Sequence, residues 1–71
     1  MLNTEDAAYK EKLAGMLVTL RGNRSAEEAA KAVGISVNAL MKYESAQRMP
    51  RDEVKRALAR YYGLKEDYFN K

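Results

Sequence analysis

Residues 25–50 read SAEEAAKAVGISVNALMKYESAQRMP, and the fold follows from how this stretch is punctuated. Ser25 stands three residues before Glu28. That is the spacing of a capping box, in which two side chains satisfy otherwise orphan backbone donors at a helix start. Ala29, Ala30 and Val33 form a small apolar face at helical spacing, and Gly34 supplies a left-handed cap. Small side chains on this helix let a second helix cross close by. Ser36 opens that second helix, with Leu40 and Tyr43 facing inward and Val37, Asn38, Met41 and Lys42 on the other side. A basic loop follows and Pro50 closes it. Two short capped helices joined through Gly34-Ile35-Ser36 predict a helix-turn-helix over about residues 25–44, with Ile35 pinning both helices to the core. A plain helical hairpin has no need of helices this short, of two Ser caps, or of so tight a turn.

Outward from this unit, the spacing predicts a helix over about residues 4–21. Asn3 or Thr4 would cap it, and Glu5 and Asp6 occupy its first turn. Tyr9, Leu13, Met16 or Leu17, and Leu20 recur at helical spacing and should face the core, and Gly22 ends the run. Gly15 lowers the helix propensity there by about 1 kcal/mol relative to Ala and leaves room for another helix to approach. After the unit, Asp52 is expected to cap a helix whose inner residues are Val54, Ala57, Leu58 and Tyr61, with Gly63 at its end. Leu64 and residues 66–69 should make a short final turn, where Tyr68 and Phe69 serve as core plugs or a dimer patch. No stretch alternates with period two, so the chain reads as all-α and as one domain over residues 1–71.

Composition narrows the function. The 71 residues include no Cys and no His. Disulfides are therefore excluded, the usual zinc sites are out of reach, and no cofactor or metal is expected. A chain this short buries a modest core. No apolar run approaches the roughly 18 residues of a membrane span, and the start is acidic and polar rather than a signal peptide. The expected location is the cytoplasm, with no membrane partner. An enzyme is not expected: nucleophiles and bases are few, the Ser residues fall at helix caps, and the carboxylates cluster at helix starts.

The net charge is +3, and its distribution says more than its size. Residues 1–20 carry −1, from Lys10 and Lys12 against Glu5, Asp6 and Glu11. Residues 21–51 carry +3, from Arg21, Arg24, Lys31, Lys42, Arg48 and Arg51 against Glu27, Glu28 and Glu44. Residues 52–71 carry +1. The excess falls on the helix-turn-helix segment. A basic face is the footprint of a nucleic-acid binder, although charge alone reads equally well as an ordinary solvated surface.

The chain resembles the Cro/cI-like, or XRE-type, family of transcriptional regulators. The residues that carry the resemblance are Leu20-Arg21, Ser25, Glu27-Glu28, Ala30, Gly34-Ile35-Ser36, Leu40, Tyr43-Glu44, Arg48 and Pro50. They are joined by Pro50-Arg51-Asp52-Glu53, Leu58-Ala59, Tyr61-Tyr62-Gly63 and Phe69, and together they span about residues 10–70. The resemblance implies a five-helix lambda-repressor-like domain. It implies a sequence-specific double-stranded DNA-binding regulator, a repressor or a phage or mobile-element switch protein, with recognition helix 36–44 in the major groove.

Residue by residue, the resemblance places Val37, Asn38, Met41 and Lys42 at base edges, where Asn suits adenine, Lys suits guanine and Val a thymine methyl. For Lys42 and Asn38 the alternatives are a solvated surface residue and a helix-start polar residue; Met41 suits gap filling or an interface equally well. Ser36, Gln47 and Arg48 would contact phosphate, with Arg24 added on charge and position. Arg21 and Glu44 would form a structural ion pair. A homodimer on a palindromic operator is expected, with Tyr61, Tyr62, Tyr68 and Phe69 as candidate interface and no small-molecule ligand. Two positions depart from the family pattern. Ala26 stands where Gln commonly grips phosphate, and Ala46 stands in the loop where Gly is common, which would reshape that loop. Both admit an alternative, a protein-interaction module of antitoxin or antirepressor type.

Overall fold

The computed structural model describes residues 4–70, with side chains from residue 8 onward. The described chain forms four helices: α1 (Thr4–Arg21), α2 (Ala26–Val33), α3 (Val37–Glu44) and α4 (Asp52–Tyr61). Asn3, one of the two expected caps of α1, lies outside the described residues. No strand occurs among the described residues, as the absence of alternation requires. The five helices that the resemblance implies are not confirmed: four occur among the described residues, and residues 64–69 hold the expected short final turn. Residues 66–69 make only turns, closed by Tyr68 N–H to Lys65 O at 2.9 Å and Asn70 N–H to Asp67 O at 3.0 Å. A single turn fixes several dihedrals for one hydrogen bond, so it does not propagate as a helix. Tertiary contacts hold it instead: Phe69 is fully buried, the Tyr9 hydroxyl donates to the Phe69 carbonyl, and Arg60 pairs with Glu66 at 3.0 Å.

The core joins Leu13 and Leu17 of α1, Ala29 and Ala30 of α2, Leu40 and Tyr43 of α3, Leu58 and Ala59 of α4, and Phe69. Of the two candidates on α1, Leu17 is the buried one and Met16 packs at the margin. The Ala pair lets α2 pack against both α3 and α4, while α1 packs against α3. Among the described residues, no neighbouring helix approaches Gly15. A Cβ added there meets nothing within 4 Å, and the residue lines an open apolar groove with Lys12, Met16, Thr19, Leu20 and Tyr68.

Helix starts follow local chemistry with two exceptions. Ser25 Oγ accepts from the N–H groups of Glu27 at 3.1 Å and Glu28 at 3.3 Å. Only this half of the capping box is present among the described hydrogen bonds. Ser36 Oγ accepts from Ala39 N–H at 3.0 Å. Asp52 is not a cap. The cap position of α4 belongs to Arg51, with no side-chain bond, and Asp52 is the first helical residue. Its charge there, with Glu53, still complements the helix dipole.

Three helices end in the same closure. After α2, the N–H groups of Gly34 and Ile35 bond back to Lys31 O at 3.2 Å and Ala30 O at 2.9 Å. After α4, Gly63 and Leu64 repeat the pattern onto Arg60 O and Ala59 O. These are Schellman closures, which need a left-handed residue just past the helix end. After α3, Gln47 N–H bonds to Lys42 O at 2.9 Å and Ala46 N–H to Tyr43 O at 3.4 Å. Here the left-handed residue is Ala46, at φ 62°. The loop thus makes the same closure as the Gly-ended helices despite Ala at this position, and takes on the strain. A left-handed non-Gly residue costs about 1–2 kcal/mol, against about 0.4–1 kcal/mol of extra unfolded-state entropy for Gly. Ala46→Gly is therefore expected to stabilise by about 0.5–1 kcal/mol, raising the midpoint of thermal unfolding by a few degrees. A lowered midpoint would show that Ala46 is unstrained.

Candidate nucleic-acid interface

Successive residues of a helix turn by about 100°, which divides α3 into two faces. Ala39, Leu40, Tyr43 and Glu44 fall on one arc, and all are buried or half-buried. Val37, Asn38, Met41, Lys42 and Ser45 fall on the opposite arc, and all are exposed. Leu40 and Tyr43 anchor the helix in the core, so the outer arc is presented as a rigid ridge. The structure thus brings the four sequence-predicted base readers together on one surface. Ser45, which was not among the candidates, completes that arc; helical periodicity alone would have found it. Val37 and Met41 are 38 % and 36 % exposed, so the ridge has an apolar edge, with polar Asn38 and Lys42 toward its other side.

Three of the predicted phosphate contacts flank α3 in the chain, Ser36 before it and Gln47 and Arg48 after it. Ser36 is exposed at the start of α3, and its hydroxyl accepts from Ala39, which leaves its O–H free to donate. The N–H groups of Val37 and Asn38 have no acceptor among the described residues, as at any helix start. Gln47 and Arg48 are exposed in the loop after α3, and Gln47 is fixed at its backbone by the closure onto Lys42. Lys42, Arg48 and Arg24 form no ion pair among the described residues. Ala26 is half-buried and packs on the core at the first position of α2.

Arg21 ties the ridge to the scaffold. Its Nε and Nη2 donate to the two Glu44 carboxylate oxygens at 2.7 and 3.0 Å, and its Nη1 donates to Arg24 O at 2.8 Å. The fork geometry matches the carboxylate in a bidentate pair, the stronger class of charged hydrogen bond. Hydrogen bonding to Glu44 holds the Arg21 pKa above its ordinary value. Beside the pair, burial pushes the Tyr62 hydroxyl up from the usual tyrosine value.

A family model described as a helix-turn-helix domain matches residues 12–69. The chain belongs to this family, of the XRE/Cro-like type. Membership points to a DNA-binding regulator. No curated protein and no solved structure matches the chain. Among the described residues, no helix is long and apolar enough to cross a membrane.

Proposed function

We propose that this chain is a sequence-specific double-stranded DNA-binding transcriptional regulator, a repressor or a phage or mobile-element switch protein of the cytoplasm. The observation that supports it most is the outer face of α3, anchored from behind by buried Leu40 and Tyr43, where Val37, Asn38, Met41 and Lys42 lie exposed together. In this reading α3 enters the major groove with those residues at base edges. Arg24, Ser36, Gln47 and Arg48 hold phosphates on either side of the groove, and Arg21–Glu44 fixes the helix that reads. No catalytic role is proposed.

One such domain makes few base contacts, so a homodimer on a palindromic site with half-sites about one helical turn apart is proposed. Of the four aromatic residues considered for its interface, Phe69 is spent in the core and Tyr61 and Tyr62 are half-buried. Tyr68 remains, 43 % exposed.

The test is a titration of duplex DNA across salt concentration. Phosphate contacts release counterions, so affinity should fall linearly with salt on a logarithmic plot, by about 0.9 per phosphate contact. Affinity that is flat with salt excludes the reading. Within it, Lys42→Ala is expected to relax preference at one base position at a cost of about 1–3 kcal/mol, read by selection from a random duplex pool. If every sequence weakens alike, Lys42 contacts only phosphate.

A second reading, a protein-interaction module of antitoxin or antirepressor type, is favoured by the exposed apolar Val37 and Met41 side by side on the ridge and by Ala26. It predicts a partner that covers the same ridge, and little or no salt-dependent DNA binding.

A further inference from the structure

Residue 24 is held at its backbone and at its side chain. Its N–H donates to Arg21 O at 2.9 Å, and its carbonyl accepts from Arg21 Nη1 at 2.8 Å. Its guanidinium carbon lies 5.4 Å from the ring centroid of Tyr61 and 5.4 Å from that of Tyr62. The two rings meet edge to face, with centroids 4.9 Å apart and planes at 63°, so the guanidinium rests in an aromatic corner. Cations within about 6 Å of a ring centroid are attracted to the ring face. The N–H groups of the Arg24 side chain make no hydrogen bond among the described residues.

We propose that Tyr61 and Tyr62 are positioning residues that hold the Arg24 guanidinium ready to clamp a DNA phosphate. The proposal rests on the DNA-binding reading. A free Arg loses much rotamer freedom when it engages a ligand, and one already restrained loses less. The donor fork stays open, since both rings lie on one side of the guanidinium and its N–H groups make no hydrogen bond among the described residues. Arg21 fixes residue 24 and Glu44 together, so the clamp and the outer ridge of α3 share one frame. Lys42 and Arg48 have no such restraint, which makes Arg24 the preordered cation of the surface.

The test measures binding of the full chain to the duplex recovered by selection, for Tyr61→Leu and Tyr61→Phe, each with and without Arg24→Gln. Tyr61→Leu should weaken binding about two- to tenfold, while Tyr61→Phe, which keeps the ring, should match the parent. Arg24→Gln should lower the salt slope by about 1 and abolish the effect of Tyr61→Leu. An equal loss in both backgrounds makes Tyr61 merely structural and overturns the proposal. So does binding that ignores Arg24→Gln. The order parameter of Arg24 Nε in the unsubstituted protein supplies a check that needs no variant to fold. It should lie nearer the rigid value of about 0.85 than the flexible range below about 0.6; mobility equal to that of Arg48 overturns the proposal. If the unsubstituted chain binds no duplex at all, the DNA reading falls and the proposal with it.

Discussion

Phe69→Ala is expected to lower the unfolding free energy by about 3–5 kcal/mol. Phe69 is fully buried and is among the largest such side chains in the core. Its loss removes the transfer energy of the ring and leaves a cavity that the surrounding Leu residues fill only in part. A domain of this size has about 4–10 kcal/mol in total, so the change takes roughly 30 % of its stability at the least. The effect extends beyond the ring. Residues 66–69 have no helix of their own, and their turn is held by the ring and by the Tyr9 bond to the Phe69 carbonyl. Urea unfolding followed by circular dichroism gives the loss. Phe69→Leu, which fills most of the space, should recover more than half of it. A loss under 1 kcal/mol for Phe69→Ala would mean that the final turn is an appendage rather than part of the core.

The same residue shows where sequence reading stops. Phe69 and Tyr68 are neighbours with the same composition signal, and spacing left both as core or interface. Packing sends one inward and leaves the other 43 % exposed. Features set by near neighbours were legible. The Ser25 and Ser36 caps, the Gly34 and Gly63 stops and the two faces of α3 all depend on residues within one or two turns. Even so, a cap is a backbone conformation rather than a residue type. Arg51 took the cap position with its φ and ψ, although Asp52 has the better side chain for it. The Ala46 loop shows the converse. Residue type argued against a left-handed turn, yet the bonds from Ala46 and Gln47 back to α3 outweigh the strain. Contacts between distant residues left no such trace. Nothing near Arg24 in the chain announces Tyr61 and Tyr62, and Arg21 with Glu44 came from the family resemblance rather than from spacing.

Arg21→Ala should cost about 3 kcal/mol, because truncating one partner strands the other charge where water barely reaches it. The Glu44 side chain is only 6 % exposed, against 22 % for Arg21. That difference predicts an asymmetry: Glu44→Ala should cost less, since the surviving Arg reaches solvent. Removing both groups in favour of apolar residues, as in Arg21→Met with Glu44→Leu, should cost less than Arg21→Ala alone, because no buried charge remains. The pair should also withstand alkali. Glu44 raises the Arg21 pKa, so its contribution is complete below the ordinary Arg value and is lost only as pH climbs past the raised one. The loss should reach the ridge as well. Arg21 holds Glu44 at the last residue of α3 and the carbonyl of Arg24 at the turn before α2, so Arg21→Ala frees both at once. DNA affinity should then fall by more than the unfolded fraction explains, measured at a temperature where the variant is still mostly folded. Affinity that tracks the folded fraction alone would mean that the pair stabilises the domain without orienting the helix that reads.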